Sequence, residues 1–188
     1  MIFHLKRPGV GKMIKLTKIE TPLGEMTAGA TGDGICLLEF SEIKFSNSEI
    51  EELTSLFDTS AEYGQNRYLR KLRKQLKEYF KGLRKEFSVP LIIKGTDFQK
   101  AVWRELRNIP FGTTRSYIEQ ARSLNNPQSA RAVAHANGSN RIAIVIPCHR
   151  VIGADGSLTG YGGGLERKKW LIDHESKYSG KPVDGILF

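Results

Sequence analysis

The sequence predicts an α/β (α+β) protein with two units and a tail. A small amino-terminal sheet-and-helix domain, residues 1–94, precedes a mostly helical domain with a helix-turn-helix, residues 95–176, and a carboxy-terminal tail, residues 177–188. Three observations predict this. Residues 13–40 alternate apolar runs with turn signals, as strands do. Residues 66–83 repeat leucines at helical spacing. Beyond Gly95 the apolar spacing is helical again, in short segments broken by Pro, Gly and Asn.

The strands come first. Ile14, Leu16 and Ile19 precede a turn at Thr21-Pro22-Leu23-Gly24. Thr31-Gly32-Asp33-Gly34 is a hairpin signal before the apolar run 35–40, because Asp-Gly pairs suit tight antiparallel turns. In the helix over 66–83, Leu69, Leu72, Leu76, Phe80 and Leu83 share a face, Gly82 lies near the end, and Arg70, Lys71, Arg73, Lys74 and Lys77 point elsewhere. That basic face reads first as solvated surface and second as a DNA contact. Residues 87–93 add a strand.

Gly95-Thr96-Asp97 opens the second domain, with Thr96 or Asp97 capping a helix over 98–107 that stops before Pro110-Phe111-Gly112. A second helix spans 116–124. Asn125-Asn126-Pro127 forms a turn, with Asn126 suited to N-cap and Pro127 to the first position of a third helix over 128–136, which ends near Asn137-Gly138. Two short helices around a tight turn make a helix-turn-helix candidate, a weak pattern alone because helical hairpins are common. Residues 142–146 read as a buried strand leading to Cys148. From Ser176 onward the chain reads as a loose tail.

Bulk properties narrow the function. Hydrophobic residues are 39% of the chain, and no apolar stretch approaches the roughly 18 residues of a membrane span. The basic start, residues 1–12, leads into no apolar stretch or cleavage site, so neither a secretory signal nor a membrane partner is expected. Cys36 and Cys148 cannot build a disulfide framework, which fits a reduced cytoplasm (nucleoid-associated in a prokaryote). Scattered histidines and two cysteines have no zinc spacing, so no metal is expected. A net charge of +9 favours a polyanionic partner, nucleic acid above all. From residue 98 to 150, eight Lys or Arg face only Glu105 and Glu119, and residues 67–85 hold a second basic cluster.

Ile146-Pro147-Cys148-His149-Arg150-Val151 carries the chemistry. A thiol with a reference pKa of about 8.5 holds little thiolate at neutral pH, and a neighbouring imidazole oriented by a third group can take its proton. Pro147 fixes its own φ and restricts the residue before it, which stiffens the entry to Cys148. On spacing alone, Cys148 is more often a small buried hydrophobe. Context raises the catalytic reading. Residues 140–150, then Gly160-Tyr161-Gly162-Gly163-Gly164-Leu165-Glu166 and Trp170, resemble the O6-alkylguanine-DNA alkyltransferases, also called methylated-DNA–protein-cysteine methyltransferases. Their signature is an Ile-Pro-Cys-His-Arg-Val core. The resemblance is clear over residues 98–175 and weak before them.

The resemblance implies a function and a site. The partner is double-stranded DNA containing O6-alkylguanine, bound from the minor groove by a monomer. The thiolate of Cys148 displaces guanine from the alkyl carbon after base flipping, once per molecule, with no cofactor. His149 relays the thiol proton through a water. Glu175 orients His149, with His174 as second choice. Tyr117 lies near the flipped base and gives guanine a proton. Asn140 supports the site at the hinge before it. The helix bearing Ser129, Ala130, Arg131, Ala132, Ala134 and Ala136 enters the minor groove, where small side chains permit close approach. Arg131 fills the gap left by the extruded base. Tyr161 stacks on or lines the base, N–H groups near Gly162 face O6, and the Val151 carbonyl accepts the exocyclic amine.

On the residues alone, blander readings stand beside these. Tyr117 reads as a core tyrosine, the alanines as helix formers packed on neighbours, Asn140 as a turn residue and Glu175 as a surface acid. The chain also departs from its relatives. Some carry a structural zinc in the amino-terminal part; with only Cys36 and His4 here, none is expected. Many have serine at position 162, and three glycines after Tyr161 imply a more open, flexible pocket. A basic residue often stands where this chain has Gly138, so one phosphate contact is absent or comes from Arg141. Two rival functions remain open: a non-catalytic binder of alkylated DNA, against which Cys148 itself argues, and a cysteine hydrolase, which has no use for a basic small-residue helix.

Overall fold

The computed structural model describes residues 13–44 and 47–180. The basic start, His4 and the last part of the expected tail, residues 181–188, lie outside the described residues.

Strands β1 (Ile14–Thr21), β2 (Gly24–Ala30) and β3 (Ile35–Phe40) form an antiparallel meander. Its first turn is locked by the Thr21 hydroxyl, which donates to the Gly24 carbonyl at 2.6 Å and accepts from Leu23 N–H at 3.2 Å; Gly24 supplies φ +103°. Every residue of β3 is buried. The reason is that both of its faces are covered: Ile35, Leu38 and Phe40 join the main core, while Cys36 and Leu37 pack with Ile14, Leu16 and Leu53 in a second cluster. Helices α1 (Ser41–Lys44) and α2 (Asn47–Phe57) follow, and then β4 (Ala61–Tyr63), which pairs parallel to β1 and completes the order β3-β2-β1-β4. Neither α2 nor β4 was expected from the sequence.

Helix α3 (Arg67–Phe80) is shorter than the expected 66–83. Asn66 caps it, accepting from Tyr68 N–H and Leu69 N–H at 3.0 Å each. Leu69, Leu72, Leu76 and Tyr79 are buried, but Leu83, counted on the same stripe, lies past the helix end and is 77% exposed. Residues 87–93 do not form a strand. Only Ile35 pairs there, accepting from Ile92 N–H at 2.8 Å and donating to the Pro90 carbonyl at 2.9 Å, and Pro90 has no N–H with which to extend a ladder.

In the second half, α4 (Asp97–Leu106) is capped by Thr96 rather than Asp97, through a capping box with Gln99. Next come β5 (Arg115–Ser116) and α5 (Tyr117–Ser123), capped by Ser116 with Glu119. Asn126 makes no side-chain cap. Residues Pro127–Ser129 form a 3₁₀ turn, and α6 (Ala130–Gly138) begins two residues later than expected. Asn137 Nδ2 on α6 donates to Gln120 Oε1 on α5 at 2.8 Å, and Trp103 Nε1–H on α4 donates to the Ala136 carbonyl at 2.7 Å, tying α6 to both preceding helices. A further 3₁₀ turn (Cys148–Arg150) leads to β6 (Val151–Ile152), parallel to β5. Helix α7 (Leu165–Ser179) closes the described chain, so the tail expected from Ser176 is helical through Ser179.

Main-chain bonds join the two halves. Leu38 N–H donates to the Arg141 carbonyl and Ala143 N–H to the Leu38 carbonyl, both at 2.8 Å. Strand β3 thus grips the segment that leads to Cys148. Arg167 on α7 grips the same sheet, donating to the Leu23 carbonyl at 2.7 Å and to Glu42 at 2.9 Å, with its guanidinium over Phe40.

Candidate active site

Cys148 is delivered by turns rather than by the expected strand over 142–146. Asn140 displaces the ladder: its Oδ1 accepts from Ile142 N–H at 3.0 Å and its Nδ2 donates to the Ile146 carbonyl at 2.9 Å. Between them Ile144 takes φ +68°, with Val145 N–H closing a three-residue turn on the Ala143 carbonyl at 2.8 Å. A β-branched residue is strained there; full burial of Ile144 helps hold it. A second such turn around Pro147, Cys148 N–H to the Ile146 carbonyl at 2.9 Å, presents the thiol. The same Asn140 amide nitrogen lies 3.3 Å from Cys148 Sγ and donates to it.

Beside the cysteine, His149 is fully buried. Its Nε2 is 2.9 Å from Glu175 Oε1 on α7. Glu175 is a hub. Arg150 donates from Nε to Oε2 at 2.8 Å and from Nη2 to Oε1 at 2.9 Å; Tyr79 OH donates to Oε1 at 2.9 Å and Gly112 N–H to Oε2 at 3.1 Å. Burial works against ionising Glu175, but His149 and the Arg150 guanidinium outweigh it and hold the carboxyl far below the usual range. Burial pushes His149 down, against the pull of Glu175, so the imidazole is neutral at neutral pH. An ionised carboxylate only accepts, so Nε2 carries the hydrogen and Nδ1 the lone pair. Nδ1 has no hydrogen-bond partner among the described residues. The arrangement is a buried base beside a thiol. His174 faces away, bonding the Tyr79 carbonyl at 2.8 Å and stacking on Trp170.

A narrow cavity of about 20 Å³ opens beside Cys148, lined by Phe40, Asn140, Tyr161, Gly162 and Gly163 among others. A Cβ on Gly163 would meet Tyr161 at 2.6 Å and Phe40 at 2.9 Å, so the absence of a side chain there lets the loop press inward. The Tyr161 hydroxyl is buried and unpartnered among the described residues. Tyr117 OH lies 3.2 Å from the carbonyls of both Thr159 and Gly160. Burial raises its pKa. The Val151 carbonyl already accepts from Lys168 Nζ at 2.5 Å, and Lys168 also donates to Thr159; burial pushes this lysine down to about 8.

Helix α6 turns Arg131, Ala132 and His135 outward and buries Val133, Ala136 and Asn137. Ser129, Ala130 and Ala134 are half-buried at its edge. Arg141, weighed as a substitute phosphate contact, is paired with Glu52. Thus Cys148, His149, Glu175, Asn140 and Tyr161 converge, Tyr117 and Val151 border the same loop, and Arg131 is exposed on α6. Sequence reasoning missed Tyr79, Gly112, Arg150 as a ligand of Glu175, Phe40 and Lys168. Arg150 alone carried a signal, since it lies inside the hexapeptide.

Two family models match the chain. Residues 14–93 match the 6-O-methylguanine DNA methyltransferase ribonuclease-like domain, and residues 97–177 match the DNA binding domain of the same name. The methylated-DNA–protein-cysteine methyltransferase of Mycobacterium tuberculosis strain H37Rv is 43% identical over 176 residues, 94% of this chain and 99% of that protein. That of Methanosarcina acetivorans is 41% identical over 156 residues, 83% of this chain and 94% of that protein. A crystal structure of the Mycobacterium tuberculosis O6-methylguanine methyltransferase superposes with TM-score 0.76 at 41% identity, covering 88% of this chain and 94% of that one. Mycobacterium tuberculosis OGT in complex with DNA gives 0.75 at 40% identity, covering 92% and 96%. With more than 40% identity across nearly the full length of its relatives, this chain belongs to the methylated-DNA–protein-cysteine methyltransferase family.

Proposed function

We propose that this chain repairs DNA by moving the alkyl group of O6-alkylguanine directly onto Cys148. The observation that carries the reading is the local geometry of the thiol: an Asn140 N–H donated to its sulfur, and beside it a buried neutral imidazole whose open nitrogen is a base. His149 takes the thiol proton, directly or across one water. The charge left on its ring is met by ionised Glu175. The Asn140 donor lowers the energy of the thiolate that remains. Sulfur attacks the alkyl carbon; the S–C bond forms as the C–O6 bond breaks, and the electron pair leaves on guanine. Guanine gains a proton from Tyr117, for whose hydroxyl an entering base competes with the Thr159 and Gly160 carbonyls. His149 then gives up the proton it took and the Tyr117 phenolate regains one through solvent, so that, net, one proton passes from the thiol to guanine, a stable thioether ends on Cys148, and each molecule acts once.

Helix α6 supports double-stranded DNA as partner, bound through the minor groove by a monomer. Its outward face holds Arg131 among small side chains, and Arg131 fills the stack when the base turns out. The cavity beside Cys148 is narrow, and Tyr161 and Gly162 shift as the base enters. No helix among the described residues is long and apolar enough to cross a membrane. The reduced thiols fit a cytoplasmic, DNA-associated protein.

Titrating an O6-methylguanine duplex with the chain tests this. Repair should stop at one equivalent, and Cys148→Ala should bind duplex without repairing it. Repair beyond one equivalent would favour a hydrolase, and no repair by the unsubstituted chain would favour a binder.

A further inference from the structure

Glu175 Oε1 serves three donors at once: His149 Nε2–H, Arg150 Nη2–H and the Tyr79 hydroxyl, each at 2.9 Å. Two of these belong to the motif around Cys148. Tyr79 does not. It stands in the last turn of α3, in the amino-terminal half, 96 residues away in sequence from Glu175. It is fully buried, and the rings of Phe80, Phe87, Phe111 and His174 surround it at centroid distances of 5.2–6.1 Å. Its carbonyl holds His174 while its hydroxyl holds Glu175, so one residue fixes two successive side chains of α7.

We propose that Tyr79 is a positioning residue for alkyl transfer, through which the amino-terminal half sets how strongly Glu175 draws on the His149 imidazole. The proposal rests on the relay from Cys148 through His149 to Glu175 argued above. Each hydrogen bond to an ionised carboxylate stabilises the charge and leaves less of it for the other donors. Removing the Tyr79 hydroxyl leaves Oε1 to His149 and Arg150. Arg150, in two bonds, and Gly112 N–H still hold the carboxylate in place. The pull on His149 Nε2–H therefore strengthens, and the imidazole becomes more basic. The other charged and titratable groups around His149 are Glu175, Arg150, Lys168, Cys148 and Tyr161, and of these Glu175 is the one that the Tyr79 hydroxyl bonds.

The test follows the His149 ring by NMR in the full chain carrying Cys148→Ala, which removes the thiol as a coupled group. The signal is assigned by its loss in His149→Gln. Tyr79→Phe should raise the His149 titration midpoint by about half a unit or more. Fluorotyrosine at position 79, a stronger donor of the same shape, should lower it and covers the case that Tyr79→Phe does not fold. A midpoint that moves with neither substitution in a folded chain overturns the proposal. In the chain with Cys148 intact, the pH–rate profile of transfer separates the two levels. If Glu175→Gln leaves that profile unmoved, the relay itself fails; if Glu175→Gln moves it and position 79 does not, only the role of Tyr79 fails.

Discussion

The Asn140 amide nitrogen lies 3.3 Å from Cys148 Sγ, and the same amide holds both ends of the turn that presents the thiol. One side chain therefore does two things: it replaces a strand ladder with a loop, and it donates to the reacting atom. Asn140→Ala leaves Ile142 N–H buried without a partner, at about 1–3 kcal/mol, and takes one of two donors from the Ile146 carbonyl, which keeps Cys148 N–H. Melting should fall accordingly, and transfer should slow with duplex and with free O6-benzylguanine alike. Unchanged rates on both substrates would remove Asn140 from the site.

Arg131 stands on the exposed face of α6. Arg131→Ala should slow repair of duplex far more than reaction with the free base, because extrusion costs a few kcal/mol in duplex and nothing outside it. Side-by-side rates on the two substrates decide this. Equal slowing would assign Arg131 to the fold or the chemistry.

Glu175 is both scaffold and charge, so Glu175→Gln should show both losses. Breaking a buried ion pair costs about 3–5 kcal/mol, since Arg150 keeps its charge. Transfer should slow at neutral pH and recover in part as pH rises, because hydroxide then supplies the thiolate. The sign in acid is also fixed. The folded-state pKa is depressed, so this stabilisation is full above the unfolded value of about 4.3 and is lost as pH falls below it. Melting curves from pH 7 down to acid should fall more steeply for the parent chain than for Glu175→Gln. Parallel curves would contradict a depressed Glu175.

Gly163→Ala would place a methyl within 3 Å of Tyr161 and Phe40. Displacing Tyr161 should weaken binding of free O6-benzylguanine, read as a higher concentration for the half-maximal single-turnover rate, and leave melting within about 1 kcal/mol, as expected where a loop rather than a core gives way. Unchanged kinetics would mean that the wall formed by Tyr161 does not touch the base.

Much of this was legible in the sequence because it is local. Turn residues around Gly24 and Gly34, the apolar stripe of α3, and the capping residue Thr96 are short-range signals. So is the placement of a histidine beside Cys148. What stayed hidden depends on contacts far apart in the chain. Residues 142–146 have the apolar run of a strand, but the Asn140 side chain outcompetes the ladder and Ile144 turns left-handed. Asn126 and Pro127 spell a helix start, yet the chain makes a 3₁₀ turn first. Tyr79 and Gly112 look like a core aromatic and a turn glycine until α7 brings Glu175 between them. Phe40 and Gly163 meet at the pocket wall from opposite ends of the chain.

The most direct measurement is the mass of the protein after reaction with a methylated duplex, followed by peptide mapping. Both cysteines are free thiols, and both are buried. Burial pushes the Cys36 thiol up to about 12, and Cys36 has no base like His149 beside it in sequence. One added methyl per molecule, all of it on Cys148, is the expected result. A methyl on Cys36, or repair that continues with no mass gained, would contradict direct transfer to Cys148.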